Sequence, residues 1–245
     1  MILWFSGTGN SRHVAGRLGE ILGEEVRFMR PEMKTNGERL IFVFPIYSWG
    51  VPPYVRTVIG SLSAPATTRC HLVCTCGDDI GLAHRMWRAD IARRGWTAVG
   101  TYSVQMPNNY VCMKGFDVDS PELAARKISA AEERITRVAE AISREETADD
   151  VVSGSWAWAK TRIIYPWFVR HDMSPRRFRA TEDCISCGRC VKACPLSNIA
   201  FNAERRPEWG SYCAFCLACY HMCPQHAVAY GRATLRKGQY LFPGD

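Results

Sequence analysis

Two runs of cysteines near the end of the chain have a spacing suited to metal chemistry. The first run is Cys184-x-x-Cys187-x-x-Cys190-x-x-x-Cys194-Pro195, and the second is Cys213-x-x-Cys216-x-x-Cys219-x-x-x-Cys223-Pro224. Three thiolates two residues apart in a tight loop can each reach a different iron of one [4Fe–4S] cubane. These eight of the twelve cysteines are therefore predicted to be metal ligands rather than disulfide partners.

A pair of structural zinc sites is the alternative interpretation, because paired C-x-x-C units also bind zinc. Zinc needs four thiolates, however, and gives no reason for a third cysteine in register or for a proline after the fourth. The spacing therefore favours iron–sulfur clusters. Tyr212, Phe215 and Tyr220 lie between the ligands in sequence and would keep water away from the sulfurs. Ordinary core aromatics would occupy the same positions.

Over roughly residues 180–232 the chain resembles the two-cluster bacterial ferredoxins. In that family the fourth cysteine of each run ligates the cluster held by the other run. The resemblance implies two [4Fe–4S] clusters and one-electron transfer at low potential. The implied ligands are Cys184, Cys187, Cys190 and Cys223 for one cluster, and Cys213, Cys216, Cys219 and Cys194 for the other.

A glycine-rich loop near the start of the chain is suited to bind an anion. Ser6-Gly7-Thr8-Gly9-Asn10-Ser11 joins a predicted strand to a predicted helix. The glycines allow close backbone approach, the hydroxyls can donate hydrogen bonds, and the helix amino terminus adds free N–H groups. A phosphate is the expected guest. The loop lacks the Lys-Ser/Thr pair of a P-loop and has Arg12 where a dinucleotide fingerprint has its third glycine.

Two further loops follow the third and fourth predicted strands. Pro45-Ile46-Tyr47-Ser48-Trp49-Gly50 offers two aromatic rings, and Cys76-Gly77-Asp78-Asp79 follows the next strand. The carboxyl ends of parallel strands lie at one sheet edge, so the three loops converge on one crevice. Over residues 1–106 this pattern resembles the flavodoxin family, and the resemblance implies that the three loops bind FMN. The alternative is that the two aromatics are surface loop residues. The implied FMN contacts are Ser6, Gly7, Thr8, Gly9, Asn10, Ser11, Pro45, Tyr47, Ser48, Trp49, Cys76, Gly77 and Asp78.

Nearly the whole chain resembles the EFR1-type flavodoxin–ferredoxin fusions. The resemblance rests on the flavodoxin-like half, the stretch Met106-Pro107-Asn108-Asn109-Tyr110 and the two-cluster tail. In such proteins the Met-Pro-x-Asn-Tyr stretch lies after the fifth strand, which makes Asn109 and Tyr110 candidates for an extra wall of the FMN site. Arg12 and His13 follow the phosphate loop directly. An acid-rich surface around the flavin, as in ordinary flavodoxins, is therefore not expected.

The elements that must position these residues follow from hydrophobic periodicity. Short apolar segments alternate with helical ones through residue 106, which is typical of parallel β-α-β units. We predict an α/β fold with a flavodoxin-like doubly wound parallel five-stranded sheet and a small C-terminal α+β bacterial ferredoxin-like domain. The predicted domains are a flavodoxin-like FMN-binding domain over 1–150, a basic aromatic linker over 151–179 and a 2[4Fe–4S] ferredoxin domain over 180–245.

The predicted linker carries most of the surplus positive charge. The chain has a formal charge of +7, and residues 151–179 contain six basic side chains and one acidic side chain. Its aromatics are predicted to pack the ferredoxin domain onto the flavin domain. Binding an acidic redox partner protein is the next interpretation. A membrane surface or single-stranded nucleic acid would also suit such a segment, although nucleic acid is not the expected partner.

Composition bounds the remaining possibilities. With 47% hydrophobic and 22% charged residues the chain is typical of a globular protein, and it contains no stretch long and apolar enough for a membrane span. The amino terminus has no basic lead typical of a secretion signal. Twelve cysteines also suit a reducing compartment, so a cytoplasmic location is expected. The four cysteines outside the runs, namely Cys70, Cys74, Cys76 and Cys112, are predicted to be core residues. A redox-active thiol at Cys76 or Cys112 is the alternative.

Three functions remain open from the sequence. The favoured one is electron transfer between FMN and the clusters and onward to a redox partner protein. The second is a flavin-dependent reductase that acts on a nicotinamide, a quinone or an enone at the FMN. The third is a redox-sensing or nucleic-acid-binding module that uses the basic linker. The oligomeric state, the substrate and the direction of electron flow do not follow from the sequence.

Overall fold

The computed structural model describes residues 1–244, and its contacts divide the chain into two compact units. Unit 1 comprises Met1–Ser6, Asn10–Pro107 and Pro121–Arg170, and unit 2 comprises Gly7–Gly9, Asn108–Ser120 and the chain from His171 onward. The division cuts the predicted linker after residue 170. It also assigns two segments from the amino-terminal half, Gly7–Gly9 and Asn108–Ser120, to unit 2.

Unit 1 is built on a six-stranded parallel sheet in the order β2-β1-β3-β4-β5-β6. The first five strands have the order 2-1-3-4-5 of flavodoxin-like doubly wound folds, which confirms the predicted fold class. The two central strands are apolar and buried along most of their length, as expected for a sheet covered on both faces. The strands are β1 Ile2–Trp4, β2 Val26–Phe28, β3 Arg39–Pro45, β4 Arg69–Cys76, β5 Thr97–Gln105 and β6 Asp149–Asp150.

Four helices of unit 1 accompany the strands of the sheet. They are α1 Asn10–Leu22, α2 Pro53–Ser61, α3 Ala83–Arg93 and α4 Pro121–Ser143. Helix α1 buries Val14 and Leu18 on one side, and α4 buries Ile135, Val138 and Ile142. The long helix begins with a proline at its first position and Glu122 in its first turn, both suited to a helix amino terminus. None of the described helices is long and apolar enough to cross a membrane.

The sixth strand is an addition to the predicted five. Strand β6 has only two residues, Asp149 and Asp150, which pair in parallel with Thr101 and Tyr102 of β5. Both aspartates are exposed, so the strand carries no apolar signal that sequence periodicity could detect. Arg134 accounts for part of its position, because its guanidinium donates to the Asp150 carboxylate at 2.5 Å and to the Asp150 carbonyl at 2.7 Å.

The segment after β6 is helical where a linker was predicted. It consists of α5 Ala157–Ala159, a π-helical turn Lys160–Ile164 and α6 Tyr165–His171. Thr161, Tyr165 and Phe168 are buried at a spacing of one helical face. The Tyr165 hydroxyl donates to the Val51 carbonyl, and a Cβ at Gly50 would lie 2.2 Å from the Tyr165 ring. The first part of the predicted linker is therefore a packed element of unit 1.

Unit 2 contains short elements around an aromatic core, in agreement with the predicted α+β domain. Strands β7 and β10 pair antiparallel, as do β8 and β9. The rings of Phe178, Trp209, Phe215 and Tyr230 contact one another, with the Phe178 and Trp209 centroids 5.8 Å apart and stacked. The elements are β7 Phe178–Ala180, α7 Arg189–Ala193, β8 Ile199–Phe201, β9 Pro207–Trp209, α8 Ala218–His221 and β10 Val228–Tyr230.

Candidate functional site

A first cavity in unit 2 brings together three cysteines of the first run and the last cysteine of the second run. It is lined by Cys184, Cys187, Cys190 and Cys223. Apolar neighbours such as Phe201 and Val228 complete the wall. This is the first of the two ligand sets implied by the ferredoxin resemblance.

A second cavity groups the other four cysteines of the two runs. It is lined by Cys194, Cys213, Cys216 and Cys219. Phe178 and Trp209 stand in its wall. Each cavity thus receives three sulfurs from one run and one from the other, and the two halves of unit 2 are interlocked through their side chains.

The two runs share one backbone conformation. The second and fourth residues after the first cysteine of each run have positive φ: Ser186 and Gly188 in the first run, and Phe215 and Leu217 in the second. The third residue after the last cysteine also repeats, with φ 52° at Ser197 and 50° at His226. Left-handed residues between others turn successive N–H groups toward one concavity, which suits an anionic group. The repeat in sequence is therefore also a repeat in backbone geometry.

Hydrogen bonds from N–H groups reach the cysteine sulfurs. The fourth residue after the last cysteine donates in both runs, from Asn198 to Cys194 at 3.3 Å and from Ala227 to Cys223 at 3.2 Å. Phe215 N–H donates to Cys213 at 3.3 Å. N–H donors to sulfur stabilise the negative charge of a ligated cluster and influence its potential.

One donor to sulfur is a side chain. The indole Nε1 of Trp209, at the end of β9, lies 3.5 Å from Sγ of Cys219. Nothing in the spacing of the cysteines identifies this tryptophan, because it precedes the second run and no motif includes it. Its position shortly before the second run is the only feature of the sequence that points to it.

Burial keeps the isolated thiols protonated. It raises the pKa of Cys216 to about 12 and the pKa of Cys219 well above its ordinary value, and it also raises the pKa of Cys190 and Cys213. Such sulfurs become thiolates only when a cation replaces the proton, which iron does on binding. Four sulfurs around each cavity, several of them with N–H donors, therefore fit an iron–sulfur cluster.

The loop after β3 in unit 1 is a tight turn. Tyr47 and Gly50 exchange two backbone hydrogen bonds of 3.0 and 2.9 Å, and the residues between them, Ser48 and Trp49, both have positive φ. Pro45 is the last residue of β3. The side chains of Tyr47, Ser48 and Trp49 are half-buried. The turn therefore holds two aromatic rings at the carboxyl edge of the sheet.

The loop after β4 contacts the loop after β3. A Cβ at Gly81 would lie 2.9 Å from Cβ of Trp49, and Thr161 Oγ1 links the two loops by accepting from Leu82 N–H and donating to the Trp49 carbonyl, both at 2.8 Å. Cys76 is buried, Gly77 is half-buried and Asp78 is exposed. The structure thus places two of the three predicted FMN loops side by side.

Lys160 is a site residue that sequence reasoning missed. Its ammonium lies 5.0 Å from the centroid of the Trp49 ring and 2.6 Å from the Asp79 carboxylate. No local sequence signal identifies it, because the contact joins the segment after β6 to loops about a hundred residues earlier. It places a cation on one face of a ring that was predicted to contact the flavin.

The loop after β1 is divided between the units. In unit 1, Ser11 and Thr75 hydroxyls share a 2.7 Å hydrogen bond, and the Asn10 amide donates to the Pro107 carbonyl at 2.9 Å. Ser6 is half-buried at the end of β1. These partners fix the start of α1, whose amino terminus is the part of the loop predicted to attract a phosphate.

Gly7, Thr8 and Gly9 belong to unit 2. The Asn109 amide donates to the Thr8 hydroxyl at 2.5 Å, and Phe242 N–H donates to the Thr8 carbonyl at 2.8 Å. Since the Thr8 oxygen accepts from Asn109, its own hydrogen remains able to donate to an anion. Asn109 therefore orients the hydroxyl of a predicted phosphate ligand.

Gly7 lies against the second cysteine run. A Cβ at this position would be 2.0 Å from the carbonyl oxygen of Cys216, so no other residue fits without movement. Because Gly7 has no side chain, its backbone can lie close to the second cysteine run as well as to a phosphate.

Asn109 and Tyr110 are tied to the rest of unit 2. His221 is buried, with Nε2 at 2.8 Å from the Asn109 carbonyl and Nδ1 at 3.1 Å from the Tyr240 amide nitrogen. These distances assign the ring proton to Nε2 and acceptance to Nδ1. The Tyr110 ring packs edge-on against Phe116 at 5.7 Å.

The four cysteines outside the runs are buried. Burial raises the pKa of Cys70, Cys76 and Cys112 to about 12 and that of Cys74 well above its ordinary value. A thiol of this kind is protonated at neutral pH and unreactive. This agrees with the prediction that they are core residues and gives no support to a redox-active thiol.

The comparison with protein families identifies unit 2. Residues 176–224 match the family described as the 4Fe-4S dicluster domain. Unit 2 is therefore an iron–sulfur domain, and a purely zinc-binding interpretation of the runs is not supported. The match covers a fifth of the chain and does not extend to unit 1. No curated protein matches the chain.

Three solved structures show the extent of the structural likeness. A protein from Bacteroides uniformis described as a flavoprotein has 15% identity and a TM-score of 0.36, and covers 43% of this chain and 90% of its own. Trp repressor binding protein from Bacillus subtilis has 13% identity and a TM-score of 0.39, with coverage of 56% and 96%. Azoreductase from Bacillus anthracis has 11% identity and a TM-score of 0.36, with coverage of 56% and 97%. The flavodoxin-like description of unit 1 rests on its strand order.

Proposed function

We propose that this protein is an electron-transfer protein of the EFR1-type flavodoxin–ferredoxin fusions. In this proposal it passes electrons between FMN, bound by the loops after β1, β3 and β4, and two [4Fe–4S] clusters in unit 2, and onward to a redox partner protein. FMN takes up electrons in pairs or singly and the clusters singly, which suits the two groups to joint work. Free cysteines throughout the described chain favour a reducing compartment, so we propose the cytoplasm.

The observation that carries the proposal is the grouping of the eight run cysteines into two four-sulfur cavities. Each set of four has the composition that the ferredoxin resemblance implies, three from one run and one from the other. The N–H donors at Cys194, Cys213, Cys219 and Cys223 would offset the negative charge of the bound clusters.

The residues proposed for the flavin have separate tasks. The backbone of the loop after β1 would hold the phosphate, with the Thr8 hydroxyl oriented by Asn109. Tyr47 and Trp49 would flank the ring, and Lys160 would place a cation close to it. Gly7 lies against the Cys216 carbonyl. This contact supports electron transfer over a short distance between a flavin bound by the loop after β1 and the second cluster.

The first test is anaerobic reconstitution followed by a count of iron, sulfide and flavin per chain. We expect eight iron atoms, eight sulfides and one FMN, since each [4Fe–4S] cluster contributes four irons and four sulfides. A zinc-loaded protein, or one without flavin, would contradict the proposal. Steady oxidation of NADH by the purified protein would instead favour the reductase.

The second test concerns the crossed ligand sets. Cys194→Ala should abolish the spectroscopic signal of the cluster bound by Cys213, Cys216 and Cys219, and Cys223→Ala should abolish that of the other cluster. Electron paramagnetic resonance of the reduced protein distinguishes them, because each variant should retain one of the two signals. Cys112→Ala is the matched control, since Cys112 is buried in unit 2 and lines neither cavity. Two intact signals in Cys194→Ala would contradict the assignment.

A further inference from the structure

An apolar surface in unit 1 has no role in the redox chemistry. It consists of five large side chains of the helical segment after β6, and we call it the aromatic face. Their exposed fractions are far above those of core residues, at 83% for Trp156, 63% for Trp158, 59% for Ile163, 41% for Ile164 and 53% for Trp167. Isolated exposed apolar residues are common on soluble proteins, whereas five within twelve residues are an unusual concentration of exposed apolar surface.

Residues on the opposite side of the helical segment hold the aromatic face in place. Thr161 is hydrogen-bonded to the Trp49 carbonyl and to Leu82 N–H, and the Tyr165 hydroxyl is bonded to the Val51 carbonyl. Phe168 is buried on the same side. The segment is therefore anchored to the sheet edge of unit 1, and its tryptophans and isoleucines project from a fixed support.

Cations accompany the aromatic face. An open cleft beside the same helical segment is lined by Arg56, Arg162 and Arg170, together with Thr161 and Tyr165 of the segment's buried side. Arg56 is held by two hydrogen bonds to Asp90 at 2.8 and 2.9 Å. Arg162 and Arg170 have no hydrogen-bond or ion-pair partner within residues 1–244. Residues 151–171 contain no aspartate or glutamate, so nothing in the segment neutralises these charges.

Charge and apolarity together select the occupant. A second copy of the chain would bring the same arginines together, which disfavours self-association. Transient electron-transfer complexes between proteins are small and guided by charge, and they do not need three exposed tryptophans. A membrane interface accommodates tryptophan rings at the headgroup level and isoleucine below it, and anionic headgroups supply the phosphates that unpaired guanidinium groups bind bidentately.

We propose that the aromatic face and its arginines bind the surface of an anionic phospholipid membrane, so that the protein docks peripherally through residues 156–170. This goes beyond the proposed electron transfer and does not depend on it. The tryptophans and isoleucines enter the interface, and Arg162 and Arg170 contact lipid phosphates from the adjacent cleft.

The test is vesicle flotation of the full-length protein carrying its clusters and flavin. One set of vesicles contains phosphatidylcholine alone, and the other an equal mixture of phosphatidylcholine and phosphatidylglycerol. We expect flotation with the mixed vesicles only, weakened when the salt is raised from about 0.1 M to about 1 M, since the Debye length falls from about 10 Å to about 3 Å. Failure to float with the mixed vesicles would overturn the proposal. Salt-sensitive binding to soluble poly-glutamate together with that failure would instead assign the face to an acidic protein.

Two variants separate the apolar and ionic contributions. The double variant Arg162→Gln/Arg170→Gln should weaken binding to mixed vesicles about 30-fold, the equivalent of about 1 kcal/mol for each cation. The triple variant Trp156→Ser/Trp158→Ser/Trp167→Ser should abolish flotation. Arg126→Gln/Arg137→Gln on α4 and Leu235→Ser are controls that remove equally exposed side chains elsewhere. Equal loss in the controls, or unchanged binding by both test variants, would overturn the proposal.

Discussion

At the residue scale, the sulfur of Cys219 differs from those of Cys194, Cys213 and Cys223, because its hydrogen-bond donor is an indole rather than a backbone amide. The Trp209 Nε1 to Sγ distance is 3.5 Å, and the Trp209 ring is stacked on Phe178. A backbone donor is retained in any substitution. An indole donor can be removed by a single change that preserves the ring.

Trp209→Phe should therefore lower the reduction potential of the second cluster. A reduced cluster carries more negative charge, so loss of an N–H donor to its sulfur destabilises the reduced form most. If the hydrogen bond stabilises the reduced cluster by about 0.5–1.5 kcal/mol more than the oxidised cluster, its loss shifts the reduction potential by about 20–60 mV for one electron. Redox titration followed by electron paramagnetic resonance measures both clusters, and the first cluster serves as an internal reference. Equal shifts in both clusters, or none, would contradict a specific role for the indole.

A buried histidine makes unit 1 sensitive to acid. His71 in β4 is fully buried, and neither ring nitrogen has a hydrogen-bond partner among the described residues, although Nε2 lies 3.6 Å from the Glu145 carboxylate. Burial is the largest influence and lowers the pKa of His71 to about 4. The unfolded chain, with a pKa near 6.5, therefore binds a proton that the folded state excludes between these values. Stability is complete above about pH 6.5 and falls as the pH drops toward 4.

His71→Leu should remove this acid sensitivity. Between about pH 7.5 and about pH 5.5 the histidine alone should reduce the free energy of unfolding by about 1.4 kcal/mol. Urea unfolding of the wild type and the variant, monitored by circular dichroism at both pH values, measures the difference. Carboxylates such as Glu145, whose pKa is lowered by its arginine partners against the opposing effect of burial, titrate below this window in both proteins. An identical pH dependence in the two proteins would show that His71 is protonated in the folded state.

At the element scale, the loop after β1 is constrained by the second cysteine run. Gly7→Ala would place a Cβ 2.0 Å from the Cys216 carbonyl, and backbone on both sides leaves little freedom to relax. We expect a loss of about 1–3 kcal/mol, as for other overpacked sites, together with a perturbed signal from the second cluster. Gly16→Ala is the matched control, because a Cβ there meets nothing within 4 Å and alanine favours the interior of α1.

The control should be neutral or stabilising by up to about 1 kcal/mol. Thermal unfolding under anaerobic conditions and electron paramagnetic resonance of each variant provide the two measurements. If Gly7→Ala unfolds at the wild-type temperature with an unchanged second cluster, then the close approach to Cys216 does not constrain the loop.

The elements that the sequence predicts well are those with a long apolar pattern. Strands β3 and β4 lie directly before the two loops that the sequence places after its third and fourth strands, because burial in a sheet requires an apolar pattern. Strand β6 was missed since its two exposed aspartates are positioned by Arg134 rather than by burial. The helical segment after β6 was interpreted as a linker because its aromatics and cations obscured the buried stripe that Thr161, Tyr165 and Phe168 form.

The same distinction applies to the candidate site. Cysteine spacing predicts that the run cysteines are ligands because three of each set are close in sequence and the cluster geometry is fixed, whereas the crossed fourth ligand is implied by the resemblance to two-cluster ferredoxins. The contacts of Lys160 with Trp49 and of Trp209 with Cys219 depend on the tertiary fold. The glycine at position 7 indicates that another group approaches the backbone closely. The sequence favours a phosphate as that group, and the structure places the Cys216 carbonyl there as well. Long-range pair contacts of this kind have no local signature.

At the scale of the whole molecule, the two units depend on different sources of stability. Unit 1 has a six-stranded sheet with an extensive apolar core, whereas the strands of unit 2 have three residues each and its helices four or five. A domain this small buries little apolar surface, and metal binding commonly supplies much of its folding free energy. The eight cysteines would thus hold unit 2 together only when the iron is present.

Removal of the clusters should therefore unfold unit 2 and leave unit 1 folded. After anaerobic oxidation with ferricyanide in the presence of EDTA, hydrogen–deuterium exchange should show loss of protection in Arg189–Ala193 and Ala218–His221. Peptides covering Arg39–Pro45 and Arg69–Cys76 should exchange as slowly as before. Because each cavity takes sulfurs from both runs, the two helices of unit 2 should lose protection together rather than one after the other. Persistent protection of both helices in iron-free protein would mean that the aromatic core around Phe178 and Tyr230 is sufficient to fold the unit.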